Sequence, residues 1–112
     1  MNIGISLKLE TLRVLSIAIE DIYNTRPTVN RMEKVYRSIG FDLAKMIESK
    51  YKAAKRKYSN LFDNDKEIKI TLKFHEAWAL IEILRELVPA TVNEYDKNHL
   101  QQIIADLDEK TV

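Results

Sequence analysis

The sequence lacks cysteine, which excludes disulfide bonds, thiolate metal sites and cysteine nucleophiles. It has only two glycines, and neither lies in the glycine-rich type of loop that binds nucleotide phosphates. No apolar run approaches the roughly 18 residues needed to cross a bilayer. Residues 1–20 also lack the basic start and the cleavage site of a signal peptide. We therefore predict a cytoplasmic protein without a membrane segment.

Histidine is also scarce, which leaves few side chains for metal binding or acid–base chemistry. A metal site would need His75 and His99 to converge with carboxylates such as Glu76 and Asp96, and the helical zinc-hydrolase motif is absent. No serine lies in a nucleophile-elbow context. The sequence therefore predicts no metal, no cofactor and no enzymatic activity. An enzyme without a recognisable motif is a remote alternative.

What the sequence does contain is a balanced composition with an uneven distribution of charge. Its 112 residues, 46% of them hydrophobic, suit one domain with one core. Residues 1–58 hold twelve Lys and Arg against six Asp and Glu, whereas residues 59–112 hold six against eleven. The halves therefore carry charges of +6 and −5, which add to the net +1 of the chain. Such asymmetry indicates either attraction between the halves or a charged surface for a partner.

Two segments of the first half resemble two segments of the second half, which predicts an internal repeat. Residues 3–9, Ile-Gly-Ile-Ser-Leu-Lys-Leu, align with residues 68–74, Ile-Lys-Ile-Thr-Leu-Lys-Phe. Residues 28–34 and 91–97 both begin with Thr-Val-Asn and both end with Lys. We predict a single domain over residues 1–112. It consists of repeat unit one (residues 2–58), a connecting loop (residues 59–66) and repeat unit two (residues 67–112).

Each repeat unit begins with an alternating segment and continues with helical periodicity. Residues 2–8 and 67–73 alternate apolar with polar side chains, which predicts two short strands paired in one sheet. The spacing of apolar residues predicts four helices, over residues 9–23, 31–58, 74–88 and 94–110. The predicted fold is α+β and mostly helical, with duplicated β-α-α units related by approximate two-fold symmetry and a two-stranded antiparallel sheet. An all-α four-helix bundle is the alternative.

Local signals mark the second helix of each unit. Asn30 and Asn93 are each followed three residues later by an acid, which predicts two helix N-caps, with Thr28 and Thr91 as alternatives. Gly40 interrupts the longer of the two helices. A glycine at this position indicates either close packing against a neighbouring element or a break into two helices.

The longer helix ends in a cluster of cations that has no counterpart in the second unit. We call residues 50–57 the basic tip; its cations are Lys50, Lys52, Lys55, Arg56 and Lys57. Cations interleaved with Tyr51 and Tyr58 favour nucleic-acid binding through phosphate contacts and base stacking. An acidic protein surface is a second candidate partner. The simplest interpretation is a solvated helix end whose cations complement the helix dipole. Because both tyrosines lie on the apolar stripe, we expect them to be packed.

Four apolar residues lie off the main stripes of their helices and are candidates for an interface: Val14, Ile17, Phe41 and Trp78. They belong either to the core of the monomer or to an oligomer or partner surface. From these patterns we predict a non-enzymatic protein-interaction module that self-associates as a homo-oligomer. We expect a small accessory or inhibitor-type protein that acts through a helical surface and the basic tip. The alternative is a nucleic-acid-binding protein that uses residues 50–57.

Overall fold

The computed structural model describes residues 2–21, 31–58 and 66–111, with the exception of the Glu33 side chain. The Asn30 cap, its alternative Thr28 and residues 59–65 of the connecting loop lie outside the described residues. In chain order the elements are β1 (Asn2–Lys8), α1 (Leu9–Glu20), α2 (Arg31–Lys57), β2 (Glu67–Lys73), α3 (Phe74–Leu87) and α4 (Glu94–Lys110), with a 3₁₀ turn at Val88–Ala90. The predicted mostly helical α+β class is therefore confirmed, and the all-α alternative is wrong because the two strands form.

The two strands pair antiparallel over seven residues each, from Asn2 opposite Lys73 to Lys8 opposite Glu67. Because side chains alternate along a strand, the apolar residues lie on one buried face, and most polar residues lie on the opposite, exposed face. The centre of the register is the pair Ile5–Ile70, which occupies equivalent positions in the two aligned segments. This register is what a two-fold axis through the sheet would require. The duplication itself remains a prediction.

The helices α1 and α3 continue directly from the two strands and form the centre of the core. Lys8 and Lys73 precede them in nearly the same extended conformation, with φ and ψ of −69° and 158°, and −71° and 158°. Both helices contact both strands and each other. Their inner residues are almost fully buried, among them Leu12, Leu15, Ile19, Leu80 and Leu84. The two outer helices then pack against this pair, since α2 and α4 each contact both α1 and α3.

The helix α2 is one continuous helix of 27 residues, so Gly40 does not break it. Gly40 is buried, as are Leu43, Ala44 and Ile47 in the next two turns. Close packing of a neighbouring element against Gly40 stays a prediction. At 27 residues, α2 exceeds the 17 residues of α4 by about three turns.

Both outer edges of the sheet receive a lysine from an outer helix. Lys110 Nζ donates to the carbonyl oxygen of Gly4 at 2.8 Å, and Lys50 Nζ approaches the carbonyl oxygen of Lys69 at 3.4 Å. Gly4 and Lys69 occupy equivalent positions in the two aligned segments. An exposed edge strand invites pairing with another chain, and lysine at the edge discourages it. We call Lys50 and Lys110 the edge lysines.

The N-terminus of α4 is capped as the sequence predicts. The Asn93 side-chain oxygen accepts from the backbone N–H of Tyr95 at 2.8 Å and of Asp96 at 3.3 Å. Thr91 is not the cap, because its hydroxyl donates to the carbonyl oxygen of Leu87 at 3.0 Å and so bonds back to α3.

Replacing the cap in Asn93→Ala should lower the free energy of unfolding by about 1 kcal/mol, because two backbone donors lose their acceptor. Urea unfolding followed by circular dichroism measures this change. Asn98→Ala is the matched control, since Asn98 is exposed in the interior of the same helix and alanine is the better helix former there. Equal losses in both variants would contradict a capping role.

The side chain of Arg37 presents an unusual feature of the α2 interior. Its Nε is buried and has no hydrogen-bond partner in the structure as described. A buried donor without a partner costs about 1–3 kcal/mol. We expect Arg37→Met to leave the free energy of unfolding unchanged or to raise it by up to about 1 kcal/mol. Urea unfolding tests this, with the exposed Arg31→Met as control; a clear loss of stability specific to Arg37→Met would contradict it.

Candidate protein-interaction surface

The basic tip is anchored on its inner side and exposed on its outer side. Ala54 is buried, and Tyr51 and Tyr58 are half-buried against the core. This inner side lies next to the beginning of β2, where Glu67, Ile68 and Lys69 line the same cleft as the end of α2. The tip is therefore a helix end fixed along the sheet edge, and its tyrosines are packed as expected.

The cations of the basic tip differ in how they are engaged. Lys52 forms an ion pair with Glu48 at 3.0 Å, and Lys57 lies 5.4 Å from the centre of the Tyr58 ring. Lys50 is one of the two edge lysines. The side chains of Lys55 and Arg56 are exposed and have neither an ion pair nor a hydrogen bond to the described residues. These two are the cations of the tip best placed to meet a partner.

A cleft of about 350 Å³ runs between the basic tip and the outer edge of β2. Three lysines, Lys50, Lys57 and Lys69, and one carboxylate, Glu67, contribute its charged lining. Ala53 and Ile68 add apolar surface to it. We call this the basic cleft.

A second cleft, of about 580 Å³, lies on the other side of the sheet, between β1 and α4. Its charged lining has the opposite sign, because three carboxylates, Glu67, Asp106 and Glu109, stand against one ammonium group, that of Lys8. We call this the acidic cleft. Glu67 borders both clefts, so they flank the same end of the sheet at its two opposite edges. No local pattern in the sequence indicates this cleft, because its residues come from segments that are far apart in the chain.

The direct ion pairs do not join the two oppositely charged halves of the chain. Six ion pairs occur among the described residues, and both partners of each belong to the same half. In the second half, Arg85 bonds to Glu82 and Asp108, and Lys110 lies 3.8 Å from Asp106. Among the described residues, therefore, no direct ion pair holds the two halves together.

The two histidines lie in different surroundings. His99 is half-buried at the acidic cleft, where its Nδ1 is hydrogen-bonded to Thr11 Oγ1 at 3.0 Å and its ring meets Tyr95 edge-on at 4.5 Å. His75 is exposed in the first turn of α3, and its neighbour Glu76 accepts from the Lys73 backbone N–H. Across residues 2–21, 31–58 and 66–111, no group of three or more His, Asp or Glu is placed to hold a metal ion.

The four interface candidates separate into one buried and three exposed residues. Val14 is only 3% exposed, so it belongs to the core. It is buried because α1 lies at the centre of the fold, where neighbouring elements cover more of its surface than the main apolar stripe alone. Ile17, Phe41 and Trp78 are 53%, 37% and 40% exposed.

Trp78 belongs to an aromatic cluster that the sequence does not reveal. Its ring meets Tyr36 of α2 edge-on, with the ring centres 4.9 Å apart. Phe74, one turn earlier on α3, is 48% exposed on the same face. Burial, and to a lesser extent the Glu82 carboxylate, raise the pKa of Tyr36. The cluster leaves aromatic surface at the seam between α2 and α3.

Comparisons with known proteins add nothing to this geometry: no protein-family model, curated protein or solved structure matches the chain. None of the helices in the described part of the chain is long and apolar enough to cross a membrane.

Glu10 and Arg13 form an exposed pair on α1, near the acidic cleft. Arg13 Nε donates to both carboxylate oxygens of Glu10 at 3.1 Å. This hydrogen bond lowers the pKa of the Glu10 carboxyl against the opposing effect of burial. The stabilisation should therefore be present above the ordinary pKa of 4.5 and be lost as pH falls through the lower folded-state pKa.

Because the pair is exposed, we expect Glu10→Gln to reduce the free energy of unfolding by no more than about 0.5 kcal/mol at pH near 7. The difference from the wild-type chain should vanish in acid, where Glu10 is protonated. Urea unfolding at both pH values measures it. A difference that stays constant with pH would show that the carboxylate charge plays no part.

Proposed function

We propose that this protein is a non-enzymatic interaction module whose basic tip binds an acidic surface on a protein partner. One observation carries the proposal: Lys55 and Arg56 stand exposed on an anchored helix end, without an ion pair to the described residues. A rigid helix end loses less conformational freedom on binding than a mobile segment does. Arginine is also enriched among the residues that dominate binding energies at protein interfaces.

The surroundings of the tip favour a protein partner over a nucleic acid. Tyr51 and Tyr58 are packed against the core, so they are poorly placed to stack on unpaired bases. Glu48 already neutralises Lys52, and Glu67 borders the basic cleft. The sequence pI of 7.9 is also below the value of about 9 that is typical of nucleic-acid-binding domains.

The exposed charges of the tip indicate weak binding that depends on salt. An exposed ion pair contributes about 0.2–1 kcal/mol, so Lys55 and Arg56 alone support only weak binding. The apolar surface of Ala53 and Ile68 in the basic cleft offers additional area for the partner. We therefore propose an accessory or inhibitor-type role, in which charge selects the partner and the neighbouring surface adds affinity.

A direct test uses fluorescence anisotropy with a labelled oligoglutamate peptide and a labelled oligonucleotide of equal charge. At low salt we expect the wild-type chain to bind the peptide at least as well as the oligonucleotide. The variant Lys55→Glu/Arg56→Glu should bind the peptide about tenfold more weakly, since each lost charge contact costs affinity.

The matched control is Lys34→Glu/Lys45→Glu, which makes the same change of charge at two exposed positions on α2, outside the tip. We expect the control to keep most of the peptide binding. An equal loss in the control would reduce the effect to net charge and contradict the proposal. Preferential, tip-dependent binding of the oligonucleotide would instead support the nucleic-acid alternative.

A further inference from the structure

We infer that the acidic surface recognised by the basic tip is the acidic cleft of a second copy of this chain. The inference rests on the proposed function of the tip and names its partner. It follows from four features: complementary charges, the positions of the two clefts in one molecule, the size and lining of the acidic cleft, and the edge lysines.

The charges of the two surfaces are complementary. The tip offers Lys55 and Arg56, while the acidic cleft offers Glu109, and all three side chains lack an ion pair with the described residues. Asp106 shares the cleft and has only a long contact, 3.8 Å, to a lysine that also serves a sheet edge. Opposite potentials on two surfaces accelerate their encounter and fix their relative orientation.

The tip cannot reach the acidic cleft of its own molecule. The tip lies along the outer edge of β2, whereas the acidic cleft lies along the outer edge of β1. Ala54 and Tyr58 hold the tip against the core on its own side. The complementary surfaces can therefore meet only between two molecules.

The acidic cleft also has a suitable size and a suitable floor. Its volume of about 580 Å³ lies within the range of roughly 300–1,000 Å³ that is usual for ligand-binding clefts. Ile103 and Leu7 contribute apolar surface, and Gln102 and Ser6 contribute hydrogen-bonding groups. Such a cleft can accept the aliphatic stems of long cationic side chains while carboxylates at its border meet their charged ends.

The contact joins the tip of one molecule to the acidic cleft of the other. In a pair with one such contact, the first molecule keeps a free cleft and the second keeps a free tip. A two-fold axis would instead form both contacts at once. The edge lysines occupy an outward carbonyl at each sheet edge. They disfavour a continuous intermolecular sheet, so the contact is made by side chains and should be sensitive to salt.

The test measures the mass of the full chain by light scattering in about 0.02 M and about 0.5 M salt, where the screening length falls from roughly 20 Å to roughly 4 Å. At low salt we expect a mass above that of the 13.1 kDa monomer, rising with protein concentration. At high salt we expect the monomer.

Charge-reversal variants identify the contact. The tip variant Lys55→Glu/Arg56→Glu and the cleft variant Asp106→Lys/Glu109→Lys should each associate about tenfold more weakly at low salt. A chain that combines both sets of changes, and an equimolar mixture of the two variants, should both regain association, because tip and cleft again carry opposite charges. Lys34→Glu/Lys45→Glu should associate like the wild-type chain, and circular dichroism checks that each variant is folded.

A wild-type chain that is monomeric at both salt concentrations overturns the inference, as does a folded combined variant that fails to regain association. Either result leaves the proposed function standing if the oligoglutamate peptide still binds through the tip. Tip-dependent association that the cleft variant does not weaken also overturns the inference, because the second copy would then be bound at another surface. The proposed function fails separately, through loss of tip-dependent peptide binding.

Discussion

A two-stranded ribbon is marginal in water on its own, and here such a ribbon joins the two halves of the chain. The pairing of β1 with β2 brings together residues such as Ile5 and Ile70, which are far apart in sequence. Because each strand leads without a loop into a helix, the pairing also sets α1 and α3 side by side beneath its apolar face. The ribbon therefore depends on the helices for burial, and the helices depend on the ribbon for their arrangement.

The same arrangement separates the charges of the molecule. The outer helices close opposite edges of the sheet, so the basic end of α2 and the acidic residues of α4 face away from each other. Direct ion pairs among the described residues stay within each half. A nearly neutral net charge of +1 thus conceals a dipolar surface. Dipolar surfaces contribute little to the stability of the monomer but strongly affect its encounters with charged partners.

The strands and helices could be predicted because local periodicity determines them: residues 2–8 alternate strictly, and the stripe of α2 continues through Gly40. The side-chain environments could not, because they depend on which elements surround a residue. Val14 lies off the stripe of α1 but is buried, since that helix is central, whereas Phe74 is exposed despite its size. The acidic cleft combines residues from the first and last elements, and such a combination leaves no local pattern.

The order of the strands along the chain has a consequence for synthesis on the ribosome. The first strand is made well before its hydrogen-bonding partner, which is complete only at Lys73. During that interval Ile3, Ile5 and Leu7 have no paired strand beside them, and long-range pairing of this kind forms slowly compared with helices. The nascent first half therefore exposes an unpaired apolar strand, which is the type of segment that molecular chaperones protect from aggregation.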